Sequence, residues 1–371
     1  MSDQQSPYAD LPTQAFWRLA VTQGTPSKLN NIYQKKFKIR RKDRIATAGS
    51  CFAQHITRNL RERGFNVIDS EPAPHSLKPE ERVRYSYGIY SARFGNIYTT
   101  RQLLQLLKEA NGQIKPPENI YIWKKQGRFI DGFRPAVEPN GFEQAKEVAL
   151  HRKSHLNNVK EMILDMDLFI FTLGLTEGWI HRKTGLIFPS APGVIAGEFD
   201  KKQYEFINLS FQDCVHDLHE CMDLVTQMRK GRPCNYLFTV SPVPLTATAS
   251  NQHVLVATTQ SKATLRCVAN EMSQYPNIDY FPSYELVTNP ARRSEGYDDN
   301  LRTIKDETVN QVMNHFFEVH QPNKKTSADI TESQNTTSSK TKKVKARKAK
   351  PKTKSAHQIQ CEEEFNDAFG Q

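Results

Sequence analysis

The chain has 371 residues, a hydrophobic content of 37%, a mean hydropathy of −0.65 and a net charge of +11. That length holds one large α/β domain or two small ones, and the low apolar content leaves part of the chain without a core of its own. No apolar run is long enough to cross a bilayer, the polar start MSDQQSPYADLPTQAFW has no signal-peptide pattern, and no cofactor is expected.

Residues 1–43 carry few apolar positions, and Lys35, Lys36, Lys38, Arg40, Arg41 and Lys42 crowd the end of this stretch. It reads as a solvated approach segment. Residues 44–63, RIATAGSCFAQHITRNLRER, then combine a buried strand (45–48), a tight turn at Gly49-Ser50-Cys51 and an amphipathic helix with Phe52, Ile56 and Leu60 on one face. A strand running straight into a helix aims backbone N–H groups and the positive end of the helix dipole at the turn. An anion is favoured there, and a thiol ionises more readily. A Ser and a Cys in that turn make a candidate nucleophile site.

Gly64 stops the helix, and residues 65–68 read as a second strand. A Pro-rich loop over 71–84 leads to YGIYSARFGNIYT (87–99), whose Gly88, Gly95 and Asn96 suit irregular backbone. Thr99 or Thr100 caps a helix with Leu103, Leu104, Leu106 and Leu107 facing the core. Residues 113–141 form an excursion of short strands and turns, and a long, mostly polar helix runs from 142 towards 162. The apolar run 167–173 fits a central parallel strand covered on both faces. Further elements are helices over 211–229, 261–275 and 305–317, and strands over 235–240 and 278–281. Strands alternating with helices predict a three-layer α/β/α sandwich with a parallel, flavodoxin-like sheet, ligands binding beyond the carboxyl ends of the strands.

The string Gly49-Ser50-Cys51-Phe52-Ala53, with YGIYSARFGNIYT, FTLGLTEGW (171–179), TVSPVPLTAT (239–248) and FPSYEL (281–286), resembles the GSCFA family. The similarity runs from about residue 8 to 317, with the domain itself over 44–320. The family looks like a branch of the SGNH/GDSL hydrolases, which implies an esterase or acyl-ester transferase. In that register Cys51 takes the nucleophile position, and Ser50 stands as the alternative. The resemblance implies an oxyanion site from Gly49, Gly95 and Asn96, with Gly174 and Thr176 where the superfamily has Gly-x-Asn. Glu177 beside them would orient a base or bind a substrate hydroxyl, or is simply an exposed loop carboxylate. The closing Asp-x-x-His becomes Asp299-Asn300-Leu301-Arg302, so the usual histidine is an arginine. A general base would come from His55, His75, His181 or His253, of which His55, one helical turn beyond Cys51, and His253, after a strand-end motif, are favoured. Arg302, with Arg93 and Lys262, would alternatively bind a phosphate or carboxylate.

The implied partners are a small-molecule or glycan acyl ester or acceptor, with an acyl donor in the case of transfer. A non-catalytic binder of an anionic glycan or nucleotide-linked ligand is the alternative. The six cysteines (51, 214, 221, 234, 267, 361) form no CxxC pair and read as reduced thiols in a cytoplasmic protein, against a structural zinc site. Beyond residue 320, eleven basic residues face six acidic ones, leaving this tail at +5 and the body at +6. The Ser-, Thr- and Lys-rich tail over 321–371 should be disordered. Its TKKVKARKAKPKTK stretch is a candidate for weak contact with nucleic acid or an anionic membrane. Its last stretch, 361–369, is acidic with two Phe and is a candidate docking helix.

Overall fold

A computed structural model of the protein describes residues 6–25, 29–292, 294–321 and 361–369. Its centre is a parallel sheet of β1 (Ile45–Gly49), β4 (Leu168–Leu173), β8 (Asn235–Val240) and β9 (Ile278–Tyr280), in that spatial order. Between β1 and β4 the chain forms α1 (Phe52–Glu62), α2 (Pro79–Arg84), α3 (Thr100–Ala110), α4 (Glu118–Tyr121), the hairpin β2 (Ile122–Lys125) and β3 (Arg128–Asp131), and α5 (Ala145–Asp165). An antiparallel sheet of β5 (Glu177–His181), β6 (Ile187–Phe188) and β7 (Tyr204–Asn208) follows β4. Then come α6 (Phe211–Met228), α7 (Val254–Met272), α8 (Ser283–Thr288) and α9 (Asp306–His320).

Alternation along the strands sorts the side chains into two layers. Ala46, Ala48, Phe169, Phe171, Tyr236 and Phe238 pack against α3, α5, α6 and α7, while Ile45, Leu168, Ile170 and Leu237 pack against α1, α8 and α9. Both faces are therefore buried, which is why β4 and β8 read as nearly continuous apolar runs. Each fully buried Leu, Ile or Phe stabilises the fold by roughly 1.5–3 kcal/mol. The expected three-layer α/β/α sandwich with a parallel sheet is the observed architecture. Among the described residues, no helix is long and apolar enough to cross a membrane.

Several details differ from the sequence reading. Residues 65–68 make a single parallel bridge, Ile45 to Val67, because the main chain meets β1 only through Asn66 and Ile68 before turning away. Helix α7 starts at Val254, ahead of the expected 261, because His253 caps it by accepting the Leu255 N–H at 3.1 Å. The approach segment is not wholly solvated. Its basic run lies in solvent as expected, but Leu29, Tyr33 and Ile39 are buried, and the Tyr33 hydroxyl donates to Asp279 at 2.9 Å. The β5–β7 sheet had no counterpart in the sequence reading. It docks on α3 through Gln105, which donates to the Ile187 carbonyl at 3.2 Å and accepts its N–H at 2.8 Å. Stacked rings of Trp123, Phe133 and Phe188 join it to the β2–β3 hairpin. Of the expected tail, residues 322–360 and 370–371, including TKKVKARKAKPKTK, lie outside the described residues. Residues Glu362–Phe369 form a 3-10 helix, and Cys361 and Glu362 are buried against the domain, so this end of the tail is ordered and docked.

Candidate active site

The turn after β1 exists because its first residue is glycine. Gly49 has φ +138, and a Cβ there would lie 2.5 Å from the Thr172 carbonyl oxygen and 2.7 Å from the Thr172 nitrogen of β4. Only glycine lets the two strand ends approach this closely at that backbone angle. The approach lets the Ser50 N–H donate to the Thr172 carbonyl at 3.2 Å and sets Cys51 as the residue before the first turn of α1. Gly174, at the end of β4, lies on the other side of the turn. A Cβ on it would fall 2.7 Å from the Ser50 Cβ and 3.0 Å from the Tyr98 carbonyl oxygen. Ser50, Thr172 and Thr176 each keep a buried hydroxyl with no hydrogen-bond partner among the described residues. Such groups are uncommon in a native interior and mark a place where a ligand or water completes the bonding.

The 87–99 stretch runs along the free edge of β1. The Ser91 N–H donates to the Thr47 carbonyl at 3.2 Å and the Ile97 N–H to the Gly49 carbonyl at 2.9 Å. This covers the sheet edge and carries Gly95, Asn96 and Tyr98 to the turn. Tyr90 ties the pieces together: its hydroxyl lies 3.0 Å from the Ser50 carbonyl and 2.5 Å from the Asn96 Oδ1, and Gln54 Nε2 donates to the same Oδ1 at 3.1 Å. With its oxygen so occupied, Asn96 turns its Nδ2 outward as a donor.

Those donors converge on one carboxylate. The Asn96 N–H donates to Glu362 Oε1 at 3.3 Å, the Tyr98 hydroxyl donates to Glu362 Oε2 at 2.9 Å, and Asn96 Nδ2 donates to the same Oε2. Gly95, with φ +69, leaves room: a Cβ on it would lie 3.2 Å from Glu362 Oε1. Burial raises the Glu362 carboxyl above its ordinary value, while the hydrogen bonds from Asn96 and Tyr98 pull it back. Beside it, Cys361 is hydrogen-bonded to the Cys51 thiol, lies 3.6 Å from an Arg302 guanidinium nitrogen and lies 3.6 Å from the Tyr98 hydroxyl. The Cys51 bond, with help from Arg302 and Tyr98, holds the Cys361 thiol below its ordinary value in spite of burial.

The fold thus brings together Gly49, Ser50, Cys51, Gly95, Asn96, Gly174 and Arg302. Arg302 also donates to the Pro244 carbonyl at 3.3 Å and pairs with Glu364 at 3.6 Å. Thr176 joins through its backbone, its N–H donating to Ser261 Oγ at 3.0 Å, and the buried Lys262 donates to the Gly174 carbonyl at 2.6 Å. Lys262 therefore shapes the strand end. Glu177 accepts from Thr248 at 2.8 Å, and its partial burial raises its pKa. It is buried, unlike the exposed loop carboxylate offered as one of its readings.

Other expected residues have different occupations. His55 is buried beside Phe52, its Nδ1 is 3.3 Å from Arg58, and burial together with Arg58 lowers its pKa to about 4. It is neutral at physiological pH. His253 is exposed, and its Nδ1 is taken up by the α7 cap. His75 is exposed, and His181 Nδ1 lies 2.9 Å from Thr184 Oγ1. Asp299 is an exposed turn residue, while its neighbour Asn300 accepts the Arg302 N–H at 3.0 Å. Arg93 is not an anion site. Its guanidinium is buried and spent on the Tyr85 and Val137 carbonyls and on Glu138.

Sequence reasoning missed Tyr98, Cys361 and Glu362. Tyr98 was within reach, since in the extended run Asn96-Ile97-Tyr98 the first and third side chains share a face. Cys361 and Glu362 reach the site across more than 260 positions of sequence, and no local pattern marks such a contact. No curated protein matches the sequence. The model of the GSCFA family matches residues 44–316, which span β1 and its turn, the donor-bearing 87–99 stretch and most of α9. The chain belongs to the GSCFA family.

Proposed function

We propose that the protein is an acyl-ester hydrolase or O-acyltransferase acting on a carbohydrate or related hydroxylated substrate, with Cys51 as nucleophile. The observation that carries this reading is the carboxylate held by Asn96 and Tyr98. Glu362 there stands in for the acyl group of a substrate, its oxygens placed where the carbonyl oxygen and its tetrahedral oxyanion would sit. Preorganised donors aimed at a developing oxyanion are the largest single contribution in much acyl-transfer catalysis. The Cys51 sulfur attacks the carbonyl carbon and the carbonyl electron pair moves to the oxygen at Asn96 and Tyr98. Collapse then expels the substrate alcohol, which takes up the proton that the Cys51 thiol gave up. A water or acceptor hydroxyl next attacks the thioester, releases the acyl group and returns the thiol. The hydroxylated acceptor follows from the likeness to SGNH hydrolases, and a neighbouring cleft of about 630 Å³ lined by Thr246, Thr258, Asn300, Arg302 and Thr303 offers polar groups to it.

The test is hydrolysis of short p-nitrophenyl esters by the wild type, Cys51→Ala and Ser50→Ala, with and without a polyol. Loss in Cys51→Ala, with Ser50→Ala still active, supports the thiol mechanism, and a rate that depends on the polyol supports transfer. Loss only in Ser50→Ala moves the nucleophile to the buried Ser50 hydroxyl. A second reading, a binder of anionic glycans or nucleotide-linked ligands, is favoured by the arginine at 302 and by a carboxylate already seated in the pocket. It predicts a Cys51 that reacts with thiol probes no faster than the other cysteines.

A further inference from the structure

The 361–369 segment does more than rest on the surface. Cys361 and Glu364 line a cavity of about 400 Å³ with Glu80, Arg84 and Pro139. Glu364 lines the 630 Å³ cleft with Arg302, and Asn366 lines a third, of about 280 Å³, with Glu177 and Trp179. One short helix therefore lies among three clefts. Its buried end puts a thiol on Cys51 and a carboxylate on Asn96 and Tyr98, the groups a substrate would need. Neither cysteine is in a disulfide, both are buried, and their thiols are hydrogen-bonded to each other.

We propose that Cys51 and Cys361 form a reversible disulfide, making the 361–369 segment a plug that a peroxide locks over the site and a thiol reductant releases. The Cys361 thiolate attacks one oxygen of the peroxide, the O–O bond breaks, the sulfur becomes a sulfenic acid, and the departing hydroxide takes a proton from solvent as the first water. The Cys51 sulfur then attacks that sulfur, the S–O bond breaks, and the sulfenic hydroxyl departs with the Cys51 proton as the second water. Two thiols are oxidised by two electrons, and one peroxide is reduced to two waters. Cys361 is suited to the first step because Arg302 and Tyr98 flank its sulfur and favour its thiolate, and because it borders a cavity wide enough for a small oxidant. Cys51 is suited to the second, since it is already in contact. Cys214, Cys221 and Cys234 are buried in other parts of the core and the exposed Cys267 lies on α7, so they serve as internal controls.

This proposal stands apart from the acyl-transfer reading because it is read on sulfur and not on ester turnover. The full chain is treated with hydrogen peroxide, alkylated, digested without reduction and mapped by mass spectrometry. The expected result is one peptide pair joining Cys51 to Cys361, two hydrogens lighter than the sum of its parts, abolished by dithiothreitol and formed within a monomer. Alkylation of both cysteines after peroxide overturns the proposal, as does separate oxidation to sulfinic acids or linkage between chains. In a second arm, Glu362→Ala removes the bonds to Asn96 and Tyr98 while leaving both thiols, and the iodoacetamide reaction of Cys51 should accelerate about tenfold. An unchanged rate, with the circular dichroism spectrum retained, overturns the plug.

Discussion

Replacing Gly49 by alanine tests the geometry on which the whole site rests. The added Cβ would meet Thr172 at 2.5 Å from its carbonyl oxygen, 2.7 Å from its nitrogen and 2.9 Å from its Cβ, the first two being backbone atoms in the middle of a sheet. They cannot swing aside like the end of a flexible side chain. Overpacking of this kind costs about 1–3 kcal/mol. Holding an alanine at φ +138, where glycine is at home, adds about 1–3 kcal/mol more. The total, about 2–6 kcal/mol, corresponds to a Tm lower by roughly 3–10 °C for a domain of this size. Gly64 is the control: it also has positive φ, at +74, yet a Cβ there meets nothing within 4 Å, so Gly64→Ala should lose only about 1–2 kcal/mol. Circular dichroism melts of the two variants and the wild type give the answer. If Gly49→Ala melts no lower than Gly64→Ala, the tight approach of β1 to β4 is wrong, and with it the placement of Ser50 and Cys51.

Tyr98→Phe deletes one donor to the pocket and keeps the ring, so ester turnover should fall about 10²–10³-fold with little change in Tm. An unchanged kcat removes Tyr98 from the oxyanion site. His320 accepts the Ile39 N–H at its Nδ1 at 3.2 Å, and burial together with Lys35 lowers its pKa to about 4. Protonation is therefore harder in the folded state, so stability is complete above about pH 6.5 and falls as the pH drops towards 4, by on the order of 3 kcal/mol from this residue. Urea melts at stepped pH should show that slope, and His320→Asn should flatten it; an equal slope in the variant refutes the assignment. Arg152 is buried between Glu109 at 2.6 Å and Asp131 at 3.1 Å, and Asp131 also pairs with Arg134, which donates to the Arg93 carbonyl at 2.9 Å. Arg152→Met strands the Glu109 carboxylate, leaves Asp131 with Arg134 alone and should destabilise the domain by about 3–5 kcal/mol in urea melts. A change under 1 kcal/mol would show that these charges do not hold the 87–99 stretch in place.

The sheet was legible because its strands are buried on both sides and end at glycine or turn residues: 167–173 could hardly be anything but a central strand. The Gly49 turn was legible for the same reason that it works, a strand joined to a helix without a spacer. Residues 65–68 looked equally strand-like, but a strand needs a neighbour, and the 87–99 stretch lies on that side of β1. The antiparallel sheet escaped because β6 is two residues long and docks on α3, while β5 takes its register from β7, contacts no local periodicity encodes. The helix over 254–272 was started late because Leu255 and Val256 are exposed apolar residues that blur its amphipathic pattern. In the site, the turn and the glycine–asparagine pair were readable from their motifs. The histidines misled because a ring in a favourable position by spacing, such as His55, can be spent on a neighbour and held neutral by burial.

In the proposed mechanism Cys51 attacks acyl groups presented to Asn96 and Tyr98. The most direct measurement is mass spectrometry of the reduced full chain, quenched with acid shortly after mixing with a p-nitrophenyl ester and then digested. One acyl adduct is expected, carried as a thioester on the peptide containing Cys51, labile to hydroxylamine and absent from Cys51→Ala. An adduct on Ser50, or release of p-nitrophenol at an undiminished rate by Cys51→Ala, would contradict it.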